Sequence, residues 1–254
     1  MSAPVQVLAS PEAIGESLGA RLLARIDDAR RAGHRFLLGC PTGRTPRPIF
    51  AAMARRAAAS SQPLDHLVLV MMDEYLVPGD DGLRYAPADA PWSCHHFARA
   101  EIAGPLGVAD DAVWFPDPRD PAAYDARIAE AGGIDLFLLA SGASDGHVAF
   151  NPPGSERGSR TRIIPLSDET RRDNLQTFPS FGTLDTVPHH GVSVGVDTIV
   201  ASKAAVMVAW GAGKRLTVSR MRAADGYDPS WPATLIHECS DAEIVCDAAA
   251  AGDA

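Results

Sequence analysis

The chain is short of basic residues, of cysteines and of long apolar runs. Its 23 Lys and Arg stand against 32 Asp and Glu, a formal net charge of -9. Binding a nucleic-acid backbone needs a surplus of cations, so this balance argues against such a partner. It leaves room for a small anionic ligand held at one positive spot. Cys40, Cys94, Cys239 and Cys246 show no metal-type pairing and read as reduced, mostly buried thiols. No run reaches the roughly 18 apolar residues that a bilayer crossing requires. The opening MSAPVQVLASPEAIGES lacks the basic-then-apolar order of a secretion signal. The expectation is a cytoplasmic protein with no membrane partner.

What the chain does have, over its 254 residues, is alternation. Ser10-Pro11-Glu12 can cap and start a helix running to about Ala32, which Gly33 is placed to end. Short apolar runs at 35–40, 66–72, 134–140, 204–210 and 242–247 read as buried strands. Helical patterns near 46–59, 93–105, 120–132 and 213–224 separate them. Continuous apolar strands between helices predict an α/β fold, a mostly parallel sheet covered on both faces. No repeat or long linker interrupts it, so the expectation is one domain over 1–254. Residues 77–92, rich in Pro and Asp, read as a long binding loop or lid.

In such sheets ligands gather beyond the carboxyl ends of the strands, and four of these runs end in unusual residues. PTGRTP (41–46) sets Thr42, Gly43, Arg44 and Thr45 before a helix start, a suitable phosphate cradle. MDEY (72–75) brings two adjacent carboxylates, Asp73 and Glu74, of which one can face a site while the other is anchored to structure. A partly buried carboxylate there can serve as a general base. SGASDGHVAF (141–150) puts Asp145 beside His147, an acid able to hold the tautomer of an imidazole. WGAGKRL (210–216) places Lys214 in the first turn of a helix, against the macrodipole, which anion binding would explain.

Taken in order, PTGRTP, MMDEYL, SCHHF (93–97), DGHVAFNPPGSERGSRTRI (145–163), VSVGVDTI (192–199), GAGK (211–214) and WPATLIHECSDAEIVCD (231–247) resemble the glucosamine-6-phosphate deaminase/isomerase family, within a superfamily that includes 6-phosphogluconolactonases. The resemblance covers nearly the whole chain. It implies a Rossmann-like three-layer α/β/α sandwich and a phosphorylated sugar substrate, with no metal or organic cofactor. By the same resemblance Asp73 is the base that moves a proton between C1 and C2. His147 assists ring opening and Asp145 orients it, while Thr42, Gly43, Thr45 and Lys214 bind the phosphate, with Arg44 and Glu74 expected among the ligand contacts. The family includes monomers and oligomers, which leaves homo-oligomerisation open.

The chain departs from the deaminase pattern at three places. Pro152 stands where the deaminases carry a glutamate bonded to the histidine, and Glu156 is the nearest replacement in sequence. The deaminases use an arginine on the phosphate near the position of Gln176, which is neutral here, and Arg171, Arg172 or Arg44 could substitute. Ile164 replaces a lysine that helps to bind an allosteric activator, so no such regulation is expected. A lactone hydrolase is the second reading, because DGHVAFNPPGS matches the spacing of the lactonase-type DGHTASLFPGS; those enzymes usually have arginine where Tyr75 stands. A non-catalytic sugar-phosphate-binding regulator is the third. With so few residues before the first helix, a DNA-binding segment is not expected.

Overall fold

The computed structural model describes residues 2–252. Its main sheet has seven strands: β1 (Val5–Leu8), β2 (Phe36–Cys40), β3 (Leu67–Met71), β6 (Val113–Trp114), β7 (Leu136–Ala140), β10 (Ala205–Ala209) and β11 (Ala242–Asp247). They lie in the order β1-β11-β10-β7-β2-β3-β6, with every pair parallel. The five strands read from apolar runs are all present.

Because neighbouring strand residues point to opposite faces, each apolar run serves two cores. The alternation is plain in β2, where Phe36 and Leu38 join one cluster and Leu37 the other. Helix α1 (Pro11–Arg31), helix α2 (Arg47–Ser60) and the helical run 94–106 pack on the first face. Helices Pro121–Glu130, Val196–Val200 and Arg215–Ala223 cover the second. The result is a Rossmann-like three-layer α/β/α sandwich. Helix α1 starts as its residues predict, with Ser10 Oγ accepting from Ala13 N at 3.2 Å and Pro11 in the first turn. Among the described residues no helix is long and apolar enough to cross a membrane.

The chain winds outward from β2 to β3 and β6, then returns to lay β7 on the other side of β2. The order therefore reverses between β2 and β7, and a crevice opens there at the carboxyl ends. Strands β10, β7, β2 and β3 are adjacent, so the four loops singled out above emerge side by side.

A second, four-stranded antiparallel sheet was not anticipated. It consists of β4 (Asp73–Gly79), β5 (Gly82–Tyr85), β8 (Arg162–Pro165) and β9 (His190–Ser193), in the order β5-β4-β9-β8. The stretch 77–92 is accordingly no simple loop: its first part forms a hairpin in which Val77 pairs with Arg84. Strand β4 follows β3 after Met72 alone, and Val194 N donates to Met72 O at 2.9 Å. The small sheet thus begins at the rim of the large one, with Asp73 at the junction.

Candidate active site

A cleft of about 350 Å³ opens at this rim, within the range of small-ligand sites. Its walls come from the loop 41–45, from Asp73 and Tyr75 on β4, and from the 140–150 segment. Helix Asp168–Thr177 and the turn around Lys214 complete them. Thr42, Gly43, Arg44, Thr45, Asp73, His147 and Lys214 all line it. Asp145 stands directly behind His147.

The phosphate-type end is built from backbone as much as from side chains. Gly43 has φ +93°, a conformation that favours glycine. Trp210 Nε1 donates to Thr45 O at 3.0 Å and ties this loop to the end of β10. Of the chain's two lysines, Lys203 pairs with Asp135 at the surface. Lys214 reaches into the cleft and donates to the Ser141 carbonyl. It sits in a short 3₁₀ turn, Ala212–Lys214, immediately before helix Arg215–Ala223, one step earlier than expected. Burial pulls its ammonium down to about 8, with Asp173 opposing the shift and Arg44 adding to it.

At the other end lie the acid and base groups. Asp73 is 5% exposed. Burial raises its carboxyl to about 7, and the neighbouring Glu74 adds to the rise, while the Cys94 thiol and His147 pull the other way. His147 Nδ1 lies 2.7 Å from Asp145 Oδ1. Burial alone would raise Asp145, but the hydrogen bonds from His147 and Thr170 hold it below the ordinary carboxylate value. An ionised Asp145 makes Nδ1 the protonated nitrogen and leaves Nε2 with the ring's free lone pair. Gly142 is required behind this dyad, because a Cβ there would stand 2.2 Å from His147 Nδ1. Ala149, on the cleft wall, is held at φ +52°, strain of a kind that collects at functional sites.

Glu74 is the correction. It was expected among the ligand contacts, yet it is fully buried and absent from the cleft wall. Its carboxylate accepts from Tyr75 N at 2.7 Å, Cys94 N at 3.1 Å and His95 N at 2.8 Å, and lies 2.5 Å from His95 Nδ1. Alternation along β4 sends Asp73 and Glu74 to opposite sides, and Glu74 pins the start of helix α3 (Cys94–Phe97). Glu74→Gln is therefore expected to lower stability by about 1–3 kcal/mol, through buried donors left unmatched. A melting curve reads this.

The departures resolve by geometry. Pro152 lies off the cleft wall and Glu156 is exposed, with no hydrogen bond to His147. Thr170, which sequence reasoning missed, supplies the extra hydroxyl: its Oγ1 donates to Asp145 Oδ2 at 3.3 Å and lies 3.5 Å from His147 Nδ1. Arg171 is buried and faces the carbonyls of Leu184 and Val187, and Arg172 pairs with Glu169 and Asp168. Arg44 is the member of that trio on the cleft wall, with Gln176 also lining it. Ile164 is buried in β8. Tyr75 is packed among Trp92, Phe150 and Phe181.

Ligand-type atoms of Asp145, His147 and Asp173 lie within 4.8 Å of one another. Asp145 is engaged by His147 and Thr170, and Asp173 accepts from Ala143 N and Ser144 Oγ at 3.1 Å. Their closeness is accounted for as a hydrogen-bonded cluster.

The sequence profile of the family described as glucosamine-6-phosphate isomerases/6-phosphogluconolactonase matches residues 9–245. A glucosamine-6-phosphate deaminase of Streptomyces coelicolor is 36% identical over 250 residues, 96% of this chain and 88% of that protein. One from Mycolicibacterium smegmatis is 35% identical over 254 residues, 97% of this chain and 91% of that protein. Among solved structures, a monomeric glucosamine-6-phosphate deaminase superposes with a TM-score of 0.86 at 24% identity, over 99% of this chain and all (100%) of that one. A 6-phosphogluconolactonase from Trypanosoma cruzi superposes with 0.74 at 19% identity, over 99% of this chain and 97% of that one. On the profile and the relatives together, the chain belongs to the glucosamine-6-phosphate isomerase/6-phosphogluconolactonase family.

Proposed function

We propose that the protein is a sugar-phosphate aldose–ketose isomerase using the acid/base chemistry of an amino-sugar phosphate deaminase, with glucosamine 6-phosphate as the substrate to try first. The observation that carries this is the cleft itself: a cationic, amide-rich end and an acid/base end share one cavity of sugar-phosphate size. In this reading Thr42, Gly43, Thr45, Arg44 and Lys214 hold the phosphate and so position the carbon chain. His147, oriented by Asp145, moves the proton of the ring oxygen when the sugar opens. Asp73 then takes the C2 hydrogen and returns a proton at C1. In an amino sugar this turns the C2 amine into an imine, whose hydrolysis consumes one water and releases ammonia. A base with its pKa near 7 is suited to both halves of that transfer at neutral pH.

Lactone hydrolysis is the competing chemistry, since an Asp145-oriented His147 could activate water. The position at which lactonases usually carry arginine is here Tyr75, enclosed by aromatic rings. The expected result is ammonia release from glucosamine 6-phosphate, measured by a coupled assay. Acid release from 6-phosphogluconolactone without ammonia from the amino sugar would overturn the proposal. Thermal shifts with sugar phosphates and no turnover of either would favour a binding protein.

A further inference from the structure

Asp73 receives a hydrogen bond from a group that the scheme above leaves unused. The Sγ of Cys94 lies 3.4 Å from Asp73 Oδ1, in a residue only 1% exposed. The thiol has little freedom. Ser93 caps α3 by accepting from His96 N at 3.0 Å, and Glu74 takes the N–H groups of Cys94 and His95. The hydroxyl of Thr42, on the phosphate-type loop, lies 3.8 Å from the same sulfur. Glu74, the acid that sequence reasoning placed at the ligand, thus holds the turn that aims a thiol at the base.

We propose that Cys94 is a positioning residue that fixes the carboxylate of Asp73 and sets the pH range in which it can take a proton. The proposal rests on Asp73 being the base of the reaction. The chemistry of sulfur explains the choice. A hydroxyl or backbone amide would stabilise the anion more strongly and make it a weaker base, whereas no donor would leave the buried carboxyl protonated over more of the neutral range. A thiol is a weak donor and lies between these limits. It also has little competing chemistry here, because burial and the adjacent carboxylates push its own ionisation far up.

The other groups acting on Asp73 are few. Glu74 adjoins it on β4, His147 faces it from the 141–150 segment, and Lys214 and Arg44 share the cleft. Tyr75 and Tyr124 feel its charge but are kept neutral by burial.

Three variants and two readouts test the proposal. Cys94→Ala is expected to move the acid limb of the kcat/KM profile up by about half to one pH unit, the effect of losing one weak hydrogen bond to the anion. Cys94→Ser restores a donor and returns the limb to the wild-type position or below it. A role confined to packing would lower activity at every pH and leave the limb in place. The second readout is independent of turnover. The S–H stretching band of Cys94, isolated as the infrared difference between wild type and Cys94→Ala, shifts to lower frequency as Asp73 ionises and loses that shift in Asp73→Ala. Coincident limbs for wild type and Cys94→Ala, or a band indifferent to Asp73, overturn the inference. If the protein turns over no sugar phosphate, the proposed function fails and the infrared band alone decides whether Cys94 senses Asp73.

Discussion

Asp73→Asn is expected to slow exchange of the C2 hydrogen with solvent by about 100- to 10,000-fold, the usual contribution of a positioned general base. Asparagine keeps the size and the Oδ1 acceptor of the side chain, so the Cys94 contact can persist, but an amide does not take up a proton at neutral pH. The affinity for the sugar phosphate should change little, because the phosphate-type contacts lie on other loops. Proton exchange followed by NMR in heavy water, with calorimetric titration beside it, reads both quantities. Exchange at the original rate would remove Asp73 from the mechanism. In the unaltered protein the base works only when ionised, so kcat/KM should rise with pH through about 7, until loss of the Lys214 charge above about 8 lowers it again.

Lys214→Met should weaken binding of a phosphorylated sugar by about 30-fold or more, the scale for removing one partner of an enclosed charge pair. Methionine retains the apolar stem, so the loss reports the charge and not the packing. An unphosphorylated sugar should bind almost as before, and equal losses for both would cancel the phosphate assignment. The pH dependence has a definite sign. Burial holds the Lys214 ammonium down to about 8 against the pull of Asp173. A bound phosphate favours the charged form and raises that value, so binding takes up a proton above this pH. Affinity should therefore be full below about 8 and fall as the pH rises through it. Calorimetry in buffers of different ionisation enthalpy shows the uptake, which should vanish in the Met variant.

Much of the large sheet is legible in the sequence, because parallel strands buried on both faces advertise themselves as unbroken apolar runs such as FLLGC and LVLVM. The small sheet is not. Strands β5, β8 and β9 are only 4 residues each, and β4 carries Pro78 and Gly79, which read locally as turn signals. Helix Asp168–Thr177 is equally silent: DETRRDNLQT has one apolar side chain, Leu175, and hence no stripe to detect. What holds it is polar, with Thr170 on Asp145, Asp173 on Ala143 and Ser144, and Arg171 on two carbonyls. The same division runs through the site. Asp73, His147 and Lys214 are marked by their position just beyond apolar strands. Thr170 and Cys94 act through contacts made across the fold, which local pattern does not record.

The pairing of β1 with β11 bears on how the molecule is made. Val5 lies opposite Ile244 and Leu8 opposite Asp247, so a strand synthesised early can dock only against one synthesised late. Until then the edge of β11's future place stays open, and the β1 segment must wait beside a half-built sheet. Closing so wide a loop is slow. Nascent chains stalled before residue 242 should consequently expose the 5–8 segment to proteases, whereas chains released after 247 should protect it.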